Sequence, residues 1–114
     1  MKDINGKIQY KDKEYTLAFN LNVMQAIQEE YGSLEAWGKL SEADGEPDIK
    51  AVIFGFTQML NEGIEIDNEA NGTDNKPLTL KQVGRIITEV GLGEASAVLN
   101  DTVLKSTENP EKNA

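Results

Sequence analysis

The sequence predicts a mainly α fold of the α+β class, an N-terminal β-hairpin followed by four to five short helices. Three observations carry this expectation. Through the first nineteen positions apolar residues alternate with polar ones, the period of a strand with one buried face. From Val23 onward they recur every three or four residues, the period of a helix. Asparagine, aspartate, threonine and glycine stand at the joints between these runs, where helices need caps and stops.

The segments KIQY and EYTLAF set Ile8, Tyr10, Tyr15, Leu17 and Phe19 at period two around Lys11-Asp12-Lys13, a short polar connection. A hairpin alone is marginal in water. Tyr15, Leu17 and Phe19 are therefore expected to lie against helices that include Val23, Ile27 and Tyr31. Asn20 or Asn22 can cap the first helix, and Asn22 with Gln25 has the spacing of a capping-box variant. Val23, Met24, Ile27 and Tyr31 form its stripe, and Gly32 suits its end. Ser33 opens a short second helix carrying Leu34, Trp37 and Leu40. SEADGEPD, residues 41–48, reads as a loop that delivers Asp48 as the N-cap of a third helix.

That third helix is the most hydrophobic, with Ile49, Val52, Ile53, Phe56, Met59 and Leu60 in register and Ala51 and Phe54 beside them. Gly55 within it costs up to about 1 kcal/mol relative to alanine and suggests the close approach of a neighbour. Gly63 is expected to stop this helix. Ile64 and Ile66 then read as a brief extended piece, and residues 67–76 as an exposed, mobile loop. After Pro77, Thr79 and Gln82 have capping-box spacing, and Leu80, Val83, Ile86, Ile87 and Val90 make a clean helical stripe. The stretch from Gly91 to Gly93 breaks it. Ala95, Val98, Leu99, Val103 and Leu104 give a last amphipathic helix. Residues 1–105 thus read as one domain and 106–114 as a disordered polar tail.

Composition narrows the chemistry. The chain has 114 residues, no cysteine and no histidine, so disulfides, thiolate metal sites and Ser-His-Asp or Cys-His nucleophiles are excluded within it. Eleven basic residues against twenty acidic give a formal net charge of −9. A nucleic-acid partner calls for a basic patch, and the Lys11-Asp12-Lys13 cluster interrupts itself. Anionic membranes are excluded as partners on the same ground. No run of about 18 apolar residues spans a bilayer and no leader is visible, so the cytoplasm is the expected compartment.

Asp67-x-Glu69-x-Asn71-Gly72 has the start of a calcium loop, but its twelfth position is Leu78, where a bidentate glutamate is required. A solvated loop and no metal site are expected. The carboxylate pairs Glu29–Glu30, Asp44–Glu46 and Glu65–Asp67 lack the apolar surroundings that raise a catalytic pKa. Gly91-Leu92-Gly93 completes neither phosphate-binding glycine motif. The expectation is a protein with no catalytic residue and no cofactor. Trp37 reads first as core, by its helical spacing with Leu34 and Leu40, and second as an interface anchor.

Taken in order, KDKEYTLAFNLN, VMQAIQEEYGSLEAW, IKAVIFGFTQML and PLTLKQVGRIITEVGL resemble the small tail assembly chaperones of long-tailed bacteriophages, prophages and related gene transfer agents. The resemblance covers residues 7 to 105 and is strongest in the strand-to-helix stretch ending EEYGS and in the LTLKQVG helix start. It implies a helical, non-enzymatic domain with a small N-terminal β-element. It also implies that the protein binds the tape measure protein, with tail tube subunits as a further partner, in the bacterial host cytoplasm. In that family a frameshift adds a C-terminal domain, and residues 106–114 would then end the short form. A role in holding an apolar client singles out Met24, Trp37, Phe54 and Met59 as candidate protein-binding residues, two of them adaptable methionines. Self-association is a further partner reading. The runner-up function is an acidic inhibitor or DNA mimic, suggested by the −9 charge and opposed by carboxylates spread through helices, loops and tail.

Overall fold

The computed structural model describes residues 4–41 and 46–107. Two strands, β1 (Ile4–Tyr10) and β2 (Lys13–Phe19), pair antiparallel, and five helices follow: α1 (Leu21–Tyr31), α2 (Leu34–Ser41), α3 (Ile49–Asn71), α4 (Leu80–Val90) and α5 (Leu92–Thr107). This is the mainly helical α+β architecture that the periodicities predict. The hairpin turns on Lys11 and Asp12 alone, with Lys11 at φ 56, so Lys13 belongs to β2 and faces Tyr10. Ile8 pairs with Tyr15, and Gly6 with Leu17.

The hairpin is held between two helices, β2 against α3 and β1 against α5. Leu17, Ala18 and Phe19 are all buried. Successive strand residues point to opposite faces, so the end of β2 is covered on both sides. Leu17, Phe19, Val23 and Ile27 share one core with Val52, Phe56, Met59, Leu60, Val83 and Leu99, while Tyr15 and Tyr31 flank it half-buried. The expected seam between hairpin and helices is therefore present.

Most caps follow the sequence. Asp48 Oδ1 accepts from the Ala51 N–H at 2.9 Å, and Ser33 Oγ accepts from the Ala36 N–H at 3.0 Å. Thr79 and Gln82 form a reciprocal capping box, at 3.1 and 2.8 Å. Gly32 closes α1 at φ 89. At the start of α1 the choice falls on Asn20, whose side chain accepts from the Val23 N–H. Asn22 is not the cap: it sits inside the helix and donates to Glu62 at 3.1 Å, as Asn20 does at 2.7 Å. The carboxylate of α3 thus ties down the first turn of α1.

Four expectations are corrected along the second half, among them the loop expected from residue 67, since residues 67–71 are the last turn of α3. Gly63 does not stop α3, which runs 23 residues to Asn71. A Cβ at Gly63 would meet the Thr16 carbonyl, so the glycine lets the helix lie on the β2 backbone. A helical glycine costs about 1 kcal/mol at most, less than a seam of buried side chains returns. Ile64 and Ile66 are accordingly helical and half-buried, not extended.

The helix ends instead at Gly72, in the left-handed region at φ 67, with the Gly72 and Thr73 N–H groups both donating to the Asn68 carbonyl. The loop that follows is exposed but tethered. The Asn68 side chain bonds Thr73 and Asn75, and the Asn61 side chain accepts from the Leu78 N–H at 2.7 Å and donates to its carbonyl at 3.0 Å. At the next joint only Gly91 breaks the helices, at φ 102, and Gly93 already lies in α5. Ser41, assigned to a loop, ends α2 and is buried, with its hydroxyl donating to the Gly38 carbonyl. The rest of that loop through Gly45, and the tail beyond Thr107, lie outside the described residues.

Candidate functional site

The four candidate protein-binding residues separate into two groups. Trp37 is 1% exposed and Met59 0%, so neither offers a surface to a partner in this fold. Both were singled out by residue type, and residue type does not distinguish a core anchor from an interface anchor. Trp37 lies across Gly55, whose missing Cβ leaves room for the indole ring, and its Nε1–H donates to the Ala51 carbonyl at 2.9 Å. This one side chain fastens α2 to α3. The close approach expected at Gly55 is therefore real, and Trp37 is the residue that makes it. Met24 and Phe54 are half-buried. Phe54 meets Tyr31 edge to face, with ring centroids 5.6 Å apart at 73°.

The Tyr31 hydroxyl at that contact is buried and has no hydrogen-bond partner among the described residues. Burial first, then the negative charges of Asp48 and Glu30, raise the Tyr31 phenol above its ordinary value near 10. An unpartnered buried hydroxyl costs free energy. The site is thus slightly destabilised as it stands.

A second apolar feature went unnoticed at the sequence level. A groove of about 460 Å³ opens between α2 and α5. Leu34, Trp37, Val103 and Leu104 supply its apolar lining, and Glu35, Lys39 and Asn100 its polar rim. Leu104 is 62% exposed, and Leu40, one turn beyond Trp37 on α2, is 40% exposed. Both leucines were read as ordinary members of amphipathic stripes. The available signal was that each sits at the end of its stripe, where the helix runs past the core.

Asp67, Glu69 and Asn71 lie on one helix, where residues two apart diverge by roughly 200°. They do not converge on a common centre, and among the described residues no three potential ligands come together. No described helix is long and apolar enough to cross a membrane. No known protein family, characterised protein or solved structure compared with this chain matches it.

Proposed function

We propose that this chain is a non-enzymatic tail assembly chaperone of a long-tailed bacteriophage or prophage, which holds the tape measure protein, with tail tube subunits as a further client, in the host cytoplasm. The observation that carries the reading is the ordered resemblance of the hairpin, the EEYGS helix end and the LTLKQVG helix start to that family. The α2–α5 groove supports it. An apolar channel bordered by polar residues suits one face of an amphipathic client helix. The client contacts then fall on Leu34, Val103 and Leu104, which line the groove, rather than on the buried Trp37 or Met59. The −9 charge would keep such a complex in solution.

Co-expression with the tape measure protein encoded beside it is the test. The client is expected to move into the soluble fraction and to co-purify with this chain. Leu34→Ala and Leu104→Gln together should lose the complex while leaving the circular dichroism spectrum unchanged. A client that stays insoluble, with no complex recovered, refutes the proposal. A complex that survives the double substitution refutes the groove as its site.

A further inference from the structure

A different surface carries charge of the opposite sign to the chain as a whole. Between the tip of the hairpin and the flank of α4 lies a cleft of about 270 Å³. The hairpin contributes Tyr10, Lys11 and Tyr15, and α4 contributes Gln82 and Arg85. Leu78 and Ile86 complete it with apolar surface. Among the described residues no carboxylate lines this cleft, in a chain with twenty acidic residues.

We infer that this cleft is an anion-recognition site that takes a carboxylate side chain from an acidic peptide segment. Every polar group in its lining can donate a hydrogen bond. Gln82 spends its Oε1 on the Thr79 N–H, which leaves its amide donors as the remaining polar function. The phenols of Tyr10 and Tyr15 are donors as well, and Arg85 presents a planar fork that matches a carboxylate.

The cations are pre-positioned and uncommitted. Lys11 Nζ lies 5.4 Å from the centroid of Tyr10, and Lys13 Nζ 5.1 Å from that of Tyr15. Left-handed backbone at Lys11 sets its side chain at the hairpin tip. Among the described residues the ion pairs are Lys7–Glu14 and Lys39–Glu35, so Lys11, Lys13 and Arg85 have no carboxylate partner. Asp12 in the turn, Glu14 beside Lys13 and Glu89, one turn along α4 from Arg85, are the nearest acids in sequence; Glu14 pairs with Lys7, and none of the three pairs with these cations.

Size and net charge select the ligand class. The cleft falls below the roughly 300–1,000 Å³ typical of pockets for drug-sized molecules, so it suits a single side chain. Its aromatic and aliphatic walls fit the short carbon stem of aspartate or glutamate. A nucleic acid needs many phosphates neutralised at once, and the −9 charge of the chain opposes a polyanion. A short acidic segment asks for only the local cations.

The probe is an acetylated, amidated peptide of four glutamates, followed by ¹⁵N–¹H NMR of the full chain. Saturable shifts are expected at residues 10–15 and 78–86, weakening with added salt. Arg85→Gln is expected to raise the dissociation constant about tenfold, and Arg85→Lys to restore part of the loss. Lys50→Gln removes the same charge elsewhere, at an exposed position, and should leave binding within about twofold. No saturable shift at millimolar peptide, shifts dispersed over the surface, or an equal loss from Lys50→Gln would each overturn the inference. So would tighter binding of inorganic phosphate or of a single-stranded DNA oligonucleotide at the same residues.

Discussion

The two long flanks of α2 behave differently. On the side facing α3, the Trp37 ring lies on Gly55 and its indole N–H is bonded, so the contact is dry and fully satisfied. On the side facing α5, Leu34 and Val103 stay half-buried, and a groove remains beside exposed Leu104. The same eight-residue helix therefore seals one seam and leaves the other open. Glycine explains the closed side. Without a Cβ at Gly55 the ring and the α3 backbone reach contact. Apolar residues at the closed seam are sealed into the core, and Leu104 at the open seam keeps 62% of its surface exposed.

The sharpest way to break this contrast is Trp37→Ala. It empties a fully buried site and removes the indole hydrogen bond to the Ala51 carbonyl. A loss of about 3–5 kcal/mol in urea unfolding is expected. A loss below about 1 kcal/mol would mean that the seam is not dry. Gly63→Ala should follow, at about 1–3 kcal/mol, because its new methyl group meets the backbone carbonyl of Thr16, which cannot rotate away. Ordinary helix propensity predicts the opposite sign, a gain of up to about 1 kcal/mol. The direction of the change in denaturation midpoint therefore decides between helix propensity and packing.

Thr79→Ala removes half of the capping box and should cost about 1 kcal/mol, without altering the α2–α5 groove. Tyr31→Phe should be neutral or stabilising by up to about 1 kcal/mol, since it deletes a buried hydroxyl with no partner. It should also flatten an alkaline dependence. The Tyr31 phenol is held above its ordinary value in the folded chain, so the folded state retains that proton more tightly than the unfolded one. The contribution is fully present below about pH 10 and is lost as the pH climbs through that value toward the higher folded one. Thermal midpoints between pH 8 and about pH 11 would show it, and an identical alkaline decline in Tyr31→Phe would exclude it. Leu104→Gln, on the open side, should change stability by less than about 0.5 kcal/mol. A larger loss would move Leu104 to the closed side of the contrast.

Legibility in the sequence followed the range of the interaction. The Thr79–Gln82 box, the Asp48 cap and the Gly32 stop are settled by groups within four residues, and all stood where the spacing put them. Asn20 and Asn22 are indistinguishable as caps in the sequence; both side chains donate to the distant Glu62, and only Asn20 also accepts from the Val23 N–H. The same holds for the two surfaces. Helical spacing with Leu34 and Leu40 places Trp37 first in the core, where it lies, but nothing local told that Leu104 would be left open. The cation cleft joins a hairpin turn to a helix more than seventy residues along.

By itself the sequence determined the hairpin, the positions of the helices, the acidic surface and the absence of histidine and cysteine chemistry. These depend on periodicity, composition and short-range caps. Tertiary structure decided that Gly63 is a contact rather than a stop and that Ile64 and Ile66 are helical. It also placed Trp37 and Met59 inside, while Met24 and Phe54 stay half-buried. The physical reason is common to all of these. Local propensities differ by about 1 kcal/mol or less, and burial against a distant element contributes more than that for each large side chain.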